Sequence, residues 1–178
     1  LRILYLNHSN IQQLTNRTFF GLKSLELLSL KNNELQQLNG DEFNELESVK
    51  YLFLQFNRIK FIEHKTFFQL RQLVVLKLNG NMLMTFDLIF LPKNLIQLDV
   101  SENLFECDCE LIKSIKVHNA IEHRNTLKCH PNQTFHEYFY VMNETNFCNE
   151  KLALENIFFF ERNLPIFLIV FLSCLFLI

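Results

Sequence analysis

Residues 49–62 read Val49-Lys50-Tyr51-Leu52-Phe53-Leu54-Gln55-Phe56-Asn57-Arg58-Ile59-Lys60-Phe61-Ile62. Leu52 and Leu54 alternate with larger or polar neighbours, which is the period of a strand with one face buried. Asn57 then interrupts the apolar pattern, and Ile59 and Ile62 resume it at a different spacing. Steps of 24 residues to either side find the same text again. Leu1, Leu25, Val49 and Leu73 form one column, Leu4, Leu28, Leu52 and Leu76 a second, and Leu6, Leu30, Leu54 and Leu78 a third. Ile11, Leu35, Ile59 and Leu83 continue the series, as do Leu14, Leu38, Ile62 and Phe86. Phe19, Phe43 and Phe67 add a column of aromatics, and Leu22, Leu46 and Leu70 complete the unit. A fifth unit opens at Leu95 after a 22-residue step, with Leu98, Val100 and Asn103. Agreement in seven columns leaves no room for coincidence, and a period in this range is the mark of a repeat architecture.

The columns have a physical reading. Each Leu-x-Leu pair predicts a short strand with its leucines inward, so that every unit adds one strand to a parallel sheet. The chain then returns along the opposite side, where the isoleucine, the next leucine and the phenylalanine fill the core. Asn33, Asn57, Asn81 and Asn103 follow their strands at a turn. A carboxamide offers both donors and an acceptor, so it can satisfy backbone groups that a tight coil buries away from water. Ser9 stands at this position in the first unit, and the ladder is expected to be weaker there. No unit can bury its apolar face alone; stability has to come from stacking on neighbours.

This template, LxxLxLxxNxIxxLxxxxFxxLxx, resembles that of the leucine-rich repeat. After Asn103 the text runs Leu104-Phe105-Glu106-Cys107-Asp108-Cys109, with further cysteines at Cys129 and Cys148. It resembles the C-terminal cap of extracellular leucine-rich-repeat proteins, whose signature is NxFxCxC followed by two more cysteines. Spacing alone allows three pairings of four cysteines. The resemblance implies Cys107–Cys129 and Cys109–Cys148. A zinc set drawn from Cys107, Cys109 and Cys129 with His118, His123, His130 or His136 is the competing reading, although no CxxC or HxxxH pair supports it. The stretches Leu1-Arg2-Ile3-Leu4-Tyr5-Leu6-Asn7, Asn16-Arg17-Thr18-Phe19, Leu38-Asn39-Gly40-Asp41-Glu42-Phe43 and Leu54-Gln55-Phe56-Asn57-Arg58-Ile59 are similar to the Toll receptor family, the long arthropod Toll receptors in particular.

Taken together, these readings predict an α/β solenoid: a leucine-rich-repeat horseshoe segment with a parallel concave sheet, a disulfide-bonded C-terminal cap and a membrane helix. Residues 1–103 hold the repeats, with units starting at 1, 25, 49, 73 and 95; 104–150 form the cap; 151–163 are juxtamembrane; and 164–178 begin a transmembrane helix. Twelve of the fifteen residues from Leu164 to Ile178 are Leu, Ile, Val or Phe. That favours insertion, but fifteen residues reach only about 22 Å at ~1.5 Å each, short of a ~30 Å hydrocarbon core. A span cut short within a longer protein is the expectation, with a lipid-anchor signal as the alternative. The start inside a repeat, with neither an initiator methionine nor a signal peptide, gives the same expectation of a fragment.

Cysteines clustered in this way point to an oxidising compartment. The sequons at Asn7, Asn16, Asn132 and Asn143 agree, each a candidate glycosylation site. The expected location is the plasma membrane, single-pass type I, with the repeats outside. A net charge of −2, with acids and bases intermixed, argues against a nucleic-acid partner. Neither a nucleophile elbow, nor a phosphate loop, nor a zinc-protease helix motif occurs, so no enzyme activity, metal or cofactor is expected. Outward positions of the strands give the candidate contact surface. Tyr51, Phe53, Gln55 and Phe56 cluster there in the third unit, and none is required by the repeat template. The Toll resemblance implies an extracellular protein or microbial ligand, receptor homo- or heterodimers, attachment to the lipid bilayer, and signalling in innate immunity or development. A leucine-rich-repeat adhesion or matrix protein, membrane- or lipid-anchored and without a signalling tail, is the alternative.

Overall fold

Each Leu-x-Leu pair does form a strand, centred on its first leucine. The computed structural model describes residues 1–106, 120–122, 128–129 and 133–134. All of these belong to one compact unit, Leu1–His136. Strands β1 (Ile3–Tyr5), β2 (Leu27–Ser29), β4 (Tyr51–Phe53), β6 (Val75–Lys77) and β7 (Gln97–Asp99) pair in that order as a five-stranded parallel sheet. Two-residue strands β3 (Gln37–Leu38) and β5 (Phe61–Ile62) pair separately, also in parallel. The register is one unit per strand: Leu28 lies against Leu4 and Leu52, and Leu76 against Leu52 and Leu98. The inward columns are dry. Leu28, Leu52, Leu76 and Leu98 are completely buried, as are Leu30, Leu54 and Leu78.

The return side departs from the α/β expectation, since the described residues contain no helix. Between Leu14 and Leu25 the chain does not wind into a helix. It uses a chain of tight turns instead, with N–H groups donating three residues back: Thr18 to Thr15, Phe20 to Arg17, Leu22 to Phe19 and Leu25 to Leu22, at 2.9–3.2 Å. The fold is a parallel-strand solenoid whose return side is built of turns and two-residue strands. Inside it the phenylalanine column becomes a ladder. Phe19–Phe43 and Phe43–Phe67 both stack at 6.1 Å between ring centroids. Phe86, which the periodicity assigns to the Leu14 column, joins the ladder edge-on to Phe67 at 6.5 Å. The fourth unit is two residues shorter and has Leu91 at the template's aromatic position, and Phe86 supplies the missing ring from five residues earlier.

Asparagines hold the turns. Asn33 Oδ1 accepts from the N–H groups of Ser9 and Ile11, both at 3.0 Å, while its Nδ2 donates to the carbonyls of Leu6 (2.8 Å) and Leu30 (2.9 Å). Asn57 accepts from Leu35 N–H and donates to Leu30 and Leu54. Asn81 repeats this with Ile59, Leu54 and Leu78, and Asn103 with Leu83, Leu78 and Val100. Every carboxamide therefore ties its own unit to the one before it. Ser9 makes no such link: its hydroxyl donates only to the Asn7 carbonyl, within its own turn.

Past β7 the sheet gains one more bridge. Leu98 N–H donates to the Ala120 carbonyl and Glu122 N–H to the Leu98 carbonyl, both at 2.7 Å, which sets Ile121 parallel to Leu98. Ala120 and Ile121 are buried there, and so is Phe105. A further antiparallel pair joins β8 (Lys128–Cys129) to β9 (Gln133–Thr134). Of the cysteines expected to form bridges, Cys107, Cys109 and Cys148 lie outside the described residues, and Cys129 is described only as backbone of β8. Among the described residues no helix is long and apolar enough to cross a membrane; the apolar stretch 164–178 lies outside them.

The asparagine ladder makes a quantitative prediction. Asn57→Ala leaves the buried Leu35 N–H without a partner and takes one of two carboxamide donors from each of the Leu30 and Leu54 carbonyls, and should lower the unfolding free energy by about 1–3 kcal/mol. Ser9→Ala gives up one exposed bond and should cost less than about 1 kcal/mol. Urea denaturation of the purified protein checks both, and equal losses at the two positions would contradict the ladder.

Candidate functional site

The outward face of the sheet is built of three columns. Ile3, Leu27, Tyr51, Val75 and Gln97 form the first; Tyr5, Ser29, Phe53, Lys77 and Asp99 the second; Asn7, Lys31, Gln55, Asn79 and Ser101 the third. These columns are not equally open. Ser29, Asp99 and Ser101 are buried, whereas Tyr51 is 40% exposed and Phe53 half-buried. β4 and the turn after it thus bring together the four residues singled out by sequence. Tyr51 and Phe53 project from the strand, with Leu27 and Val75 on either side of Tyr51. Gln55 follows in the third column and Phe56 closes the turn at 42% exposure.

Phe56 occupies an unusual backbone position. The residue just before each ladder asparagine, or before Ser9 in the first unit, has positive φ: His8 55°, Asn32 57°, Phe56 54°, Gly80 68° and Glu102 55°. There the chain leaves the strand through a left-handed residue, and the N–H groups at Asn32, Phe56 and Gly80 donate to carbonyls of the next unit at 3.0–3.1 Å. Glycine meets this demand without cost and asparagine tolerates it, but a bulky aromatic is strained by roughly 1–2 kcal/mol. The ring of Phe56 is held in two ways that offset the strain. It packs against Gly80 of the following unit, where an added Cβ would overlap Cδ1 of the ring and sit 2.7 Å from Cε1. The Lys31 ammonium of the preceding unit sits 5.4 Å from the ring centroid, a cation–π distance. Sequence reading placed Phe56 at the site but missed both partners. Gly80 was the available signal, the one glycine in a column that otherwise carries side chains.

Gln55 adds an unsatisfied group. Its Oε1 is buried, and no hydrogen-bond donor meets it among the described residues. Farther along the face a charged cluster fills units four and five. Lys77 pairs with Glu122 and lies 3.9 Å from Asp99, and Gln97 also donates to Glu122. Asp99 in turn accepts from the Ser101 hydroxyl (2.7 Å) and N–H (3.1 Å). Glu122 comes from outside the repeats, which is why no periodicity announced it.

The two described sequons differ in environment. Asn7 is half-buried, and its Oδ1 accepts from the Ser29 hydroxyl (2.6 Å) and Lys31 N–H (3.1 Å). Asn16 sits exposed in a turn whose Thr18 hydroxyl accepts from Thr15 N–H (2.8 Å). Asn132 and Asn143 lie outside the described residues.

A five-strand parallel sheet with an asparagine ladder invites comparison with known proteins. The leucine rich repeat family model matches residues 1–59 and again 47–105. The chain belongs to the leucine-rich repeat family. No curated protein matches this sequence. Among solved structures, the leucine-rich repeat domain of APL1B superposes with a TM-score of 0.57 at 21% identity, over 64% of this chain and 35% of that one. The likeness is one of fold, and the chain spans about a third of the length of that structure. The leucine-rich repeat is a non-enzymatic protein-interaction fold, so the exposed aromatics of the sheet are to be weighed as a contact surface.

The Phe56–Gly80 packing is testable by a double-mutant cycle. Gly80→Ala should destabilise by more than the ~1–2 kcal/mol due to a left-handed alanine alone. In a Phe56→Ala background the same change should cost about that minimum, giving a coupling above roughly 1 kcal/mol. Additive effects in thermal or chemical denaturation would mean the ring does not rest on the glycine.

Proposed function

We propose that this chain is the ligand-binding part of an extracellular receptor and that it engages a protein partner through the sheet face around Tyr51, Phe53, Gln55 and Phe56. The supporting observation is that these residues cluster on one inner strand and the turn after it, whereas the other exposed apolar side chains of the outward columns, Ile3 and Tyr5, lie on the edge strand β1. Interface hot spots draw on such rigid aromatic side chains, and isolated repeats have no structural use for them. The finer reading is a Toll-like receptor, resting on the wording of the repeats and of the cysteine segment. In it the repeats lie outside the cell, residues 164–178 enter the bilayer, receptors pair as homo- or heterodimers, and a signalling domain follows in the cytoplasm. A microbial molecule is the other class of ligand for such a receptor. Adhesion on the same scaffold needs no signalling domain, and the coding sequence downstream of Ile178 separates the two.

Binding is the direct test. Purified protein is screened against an array of extracellular protein domains, and each hit is measured by surface plasmon resonance. Phe53→Ala combined with Phe56→Ala should leave secretion near normal and weaken binding at least about tenfold. Leu52→Ala or Leu54→Ala should instead impair folding, by about 2–5 kcal/mol for a fully buried leucine. Unchanged affinity of the double variant for every hit would move the contact surface to the return side or to residues beyond Asn103.

A further inference from the structure

We infer that the aromatic patch is selective for acidic protein segments, with Lys31 supplying the recognition. The partner would set an aspartate or glutamate carboxylate against the Lys31 ammonium and an apolar side chain against Phe53 and Tyr51. This rests on the reading of the sheet face as a binding surface and names what that surface prefers.

The argument begins with charge. The outward columns of the five strands contain three charged residues: Lys31, Lys77 and Asp99. Lys77 is matched by Asp99 and Glu122. Cations beside the sheet are matched as well, Arg2 and Lys50 both by Glu26, whose carboxyl is held below its ordinary range chiefly by the Lys50 hydrogen bond. Lys31 differs. Among the described residues its ammonium meets no carboxylate and lies only near the Phe56 ring. A ring face attracts a cation but accepts none of the directed hydrogen bonds that an ammonium can donate. Among the described residues Lys31 is therefore the one cation of the outward columns without a carboxylate partner, and it lies beside the exposed aromatics.

The backbone that carries that charge is held in place. Lys31 N–H is bound to Asn7 Oδ1, and Gln55 lies next to it across the register, since Asn32 N–H donates to the Gln55 carbonyl at 3.0 Å. Lys31 is half-buried, so an ion pair formed there is screened less than one on an open rim. Phe56 packs against Gly80 and lies near the Lys31 ammonium, so little side-chain freedom remains to be lost on binding. A single cation among aromatics suits a carboxylate next to an apolar group. Nucleic acid is a poorer match, because its affinity comes from neutralising many phosphates at once.

The test uses a phage-displayed library of random dodecapeptides, panned in parallel on the full chain and its variants. The wild-type chain should enrich peptides with Asp or Glu within a few positions of an aromatic or branched apolar residue. A synthetic copy of the leading peptide should bind the Lys31→Gln variant roughly tenfold more weakly, and Lys31→Glu more weakly still. Panning on Lys31→Glu should enrich Lys or Arg instead, while Lys31→Arg keeps the preference for acids. Melting curves are expected to leave Lys31→Gln and Lys31→Arg within a few degrees of wild type. Peptides that need Phe53 and Phe56 but show no acid preference, or bind Lys31→Gln unchanged, would overturn the inference while leaving the binding surface standing. Peptides indifferent to the phenylalanines as well, or no enrichment at all, would overturn both.

Discussion

A coil that turns every 24 residues buries backbone groups at each corner, and the asparagine carboxamide is what makes those corners tolerable. At Asn33, Asn57, Asn81 and Asn103 one side chain serves an N–H from the preceding unit and carbonyls from two units at once. Apolar stacking supplies most of the stabilisation but specifies little, because leucine columns could slide past one another. The carboxamides cannot, since each must meet its donors and acceptors within hydrogen-bond reach. They fix the step between units, and the strand register follows from that step. The face that carries Tyr51 and Phe53 is in this sense set by residues that never reach it.

Charge is arranged along the same columns. Glu26 stands between Arg2 and Lys50, Glu47 faces Lys23, and Glu34 faces Arg58, each a partner one unit away. Such exposed pairs are individually weak. Their value lies in what they leave over, because a surface whose charges are matched unit by unit makes an unmatched one conspicuous. On the sheet face the matching is completed at Lys77 by a residue from beyond the repeats, and among the described residues no carboxylate reaches Lys31.

Periodicity made the architecture legible. The inward leucines, the phenylalanine ladder and the asparagine turns sit where a 24-residue template puts them, because each depends on spacing within one unit and on an identical neighbour. What the template did not convey was either short-range geometry or long-range contact. The return side forms turns instead of helices because its bonds close over three residues, a distinction that apolar columns do not encode. Phe86 changed columns because two residues are missing from its unit. The left-handed column showed in the text only as Gly80, since His8, Asn32 and Glu102 carry no common chemistry that would mark it. Glu122 had no column at all. Among the site residues, Tyr51, Phe53, Gln55 and Phe56 were found by asking which large side chains the template does not need. Lys31 was passed over because a lysine on an outward strand position looks ordinary until its surroundings are known.

Repeat arrays change length by gaining or losing whole units, and most junctions here would accept that, since the ladder and the stacked core look alike from one unit to the next. The third and fourth units are an exception. The ring of Phe56 lies where only a glycine leaves room, and that glycine belongs to the following unit. A copy of any other unit inserted between them would set the ring against a residue with a Cβ, and a deletion of the fourth unit would set it against Glu102. Recombination can therefore lengthen or shorten this array on either side of the pair, but the pair itself has to be inherited as a block.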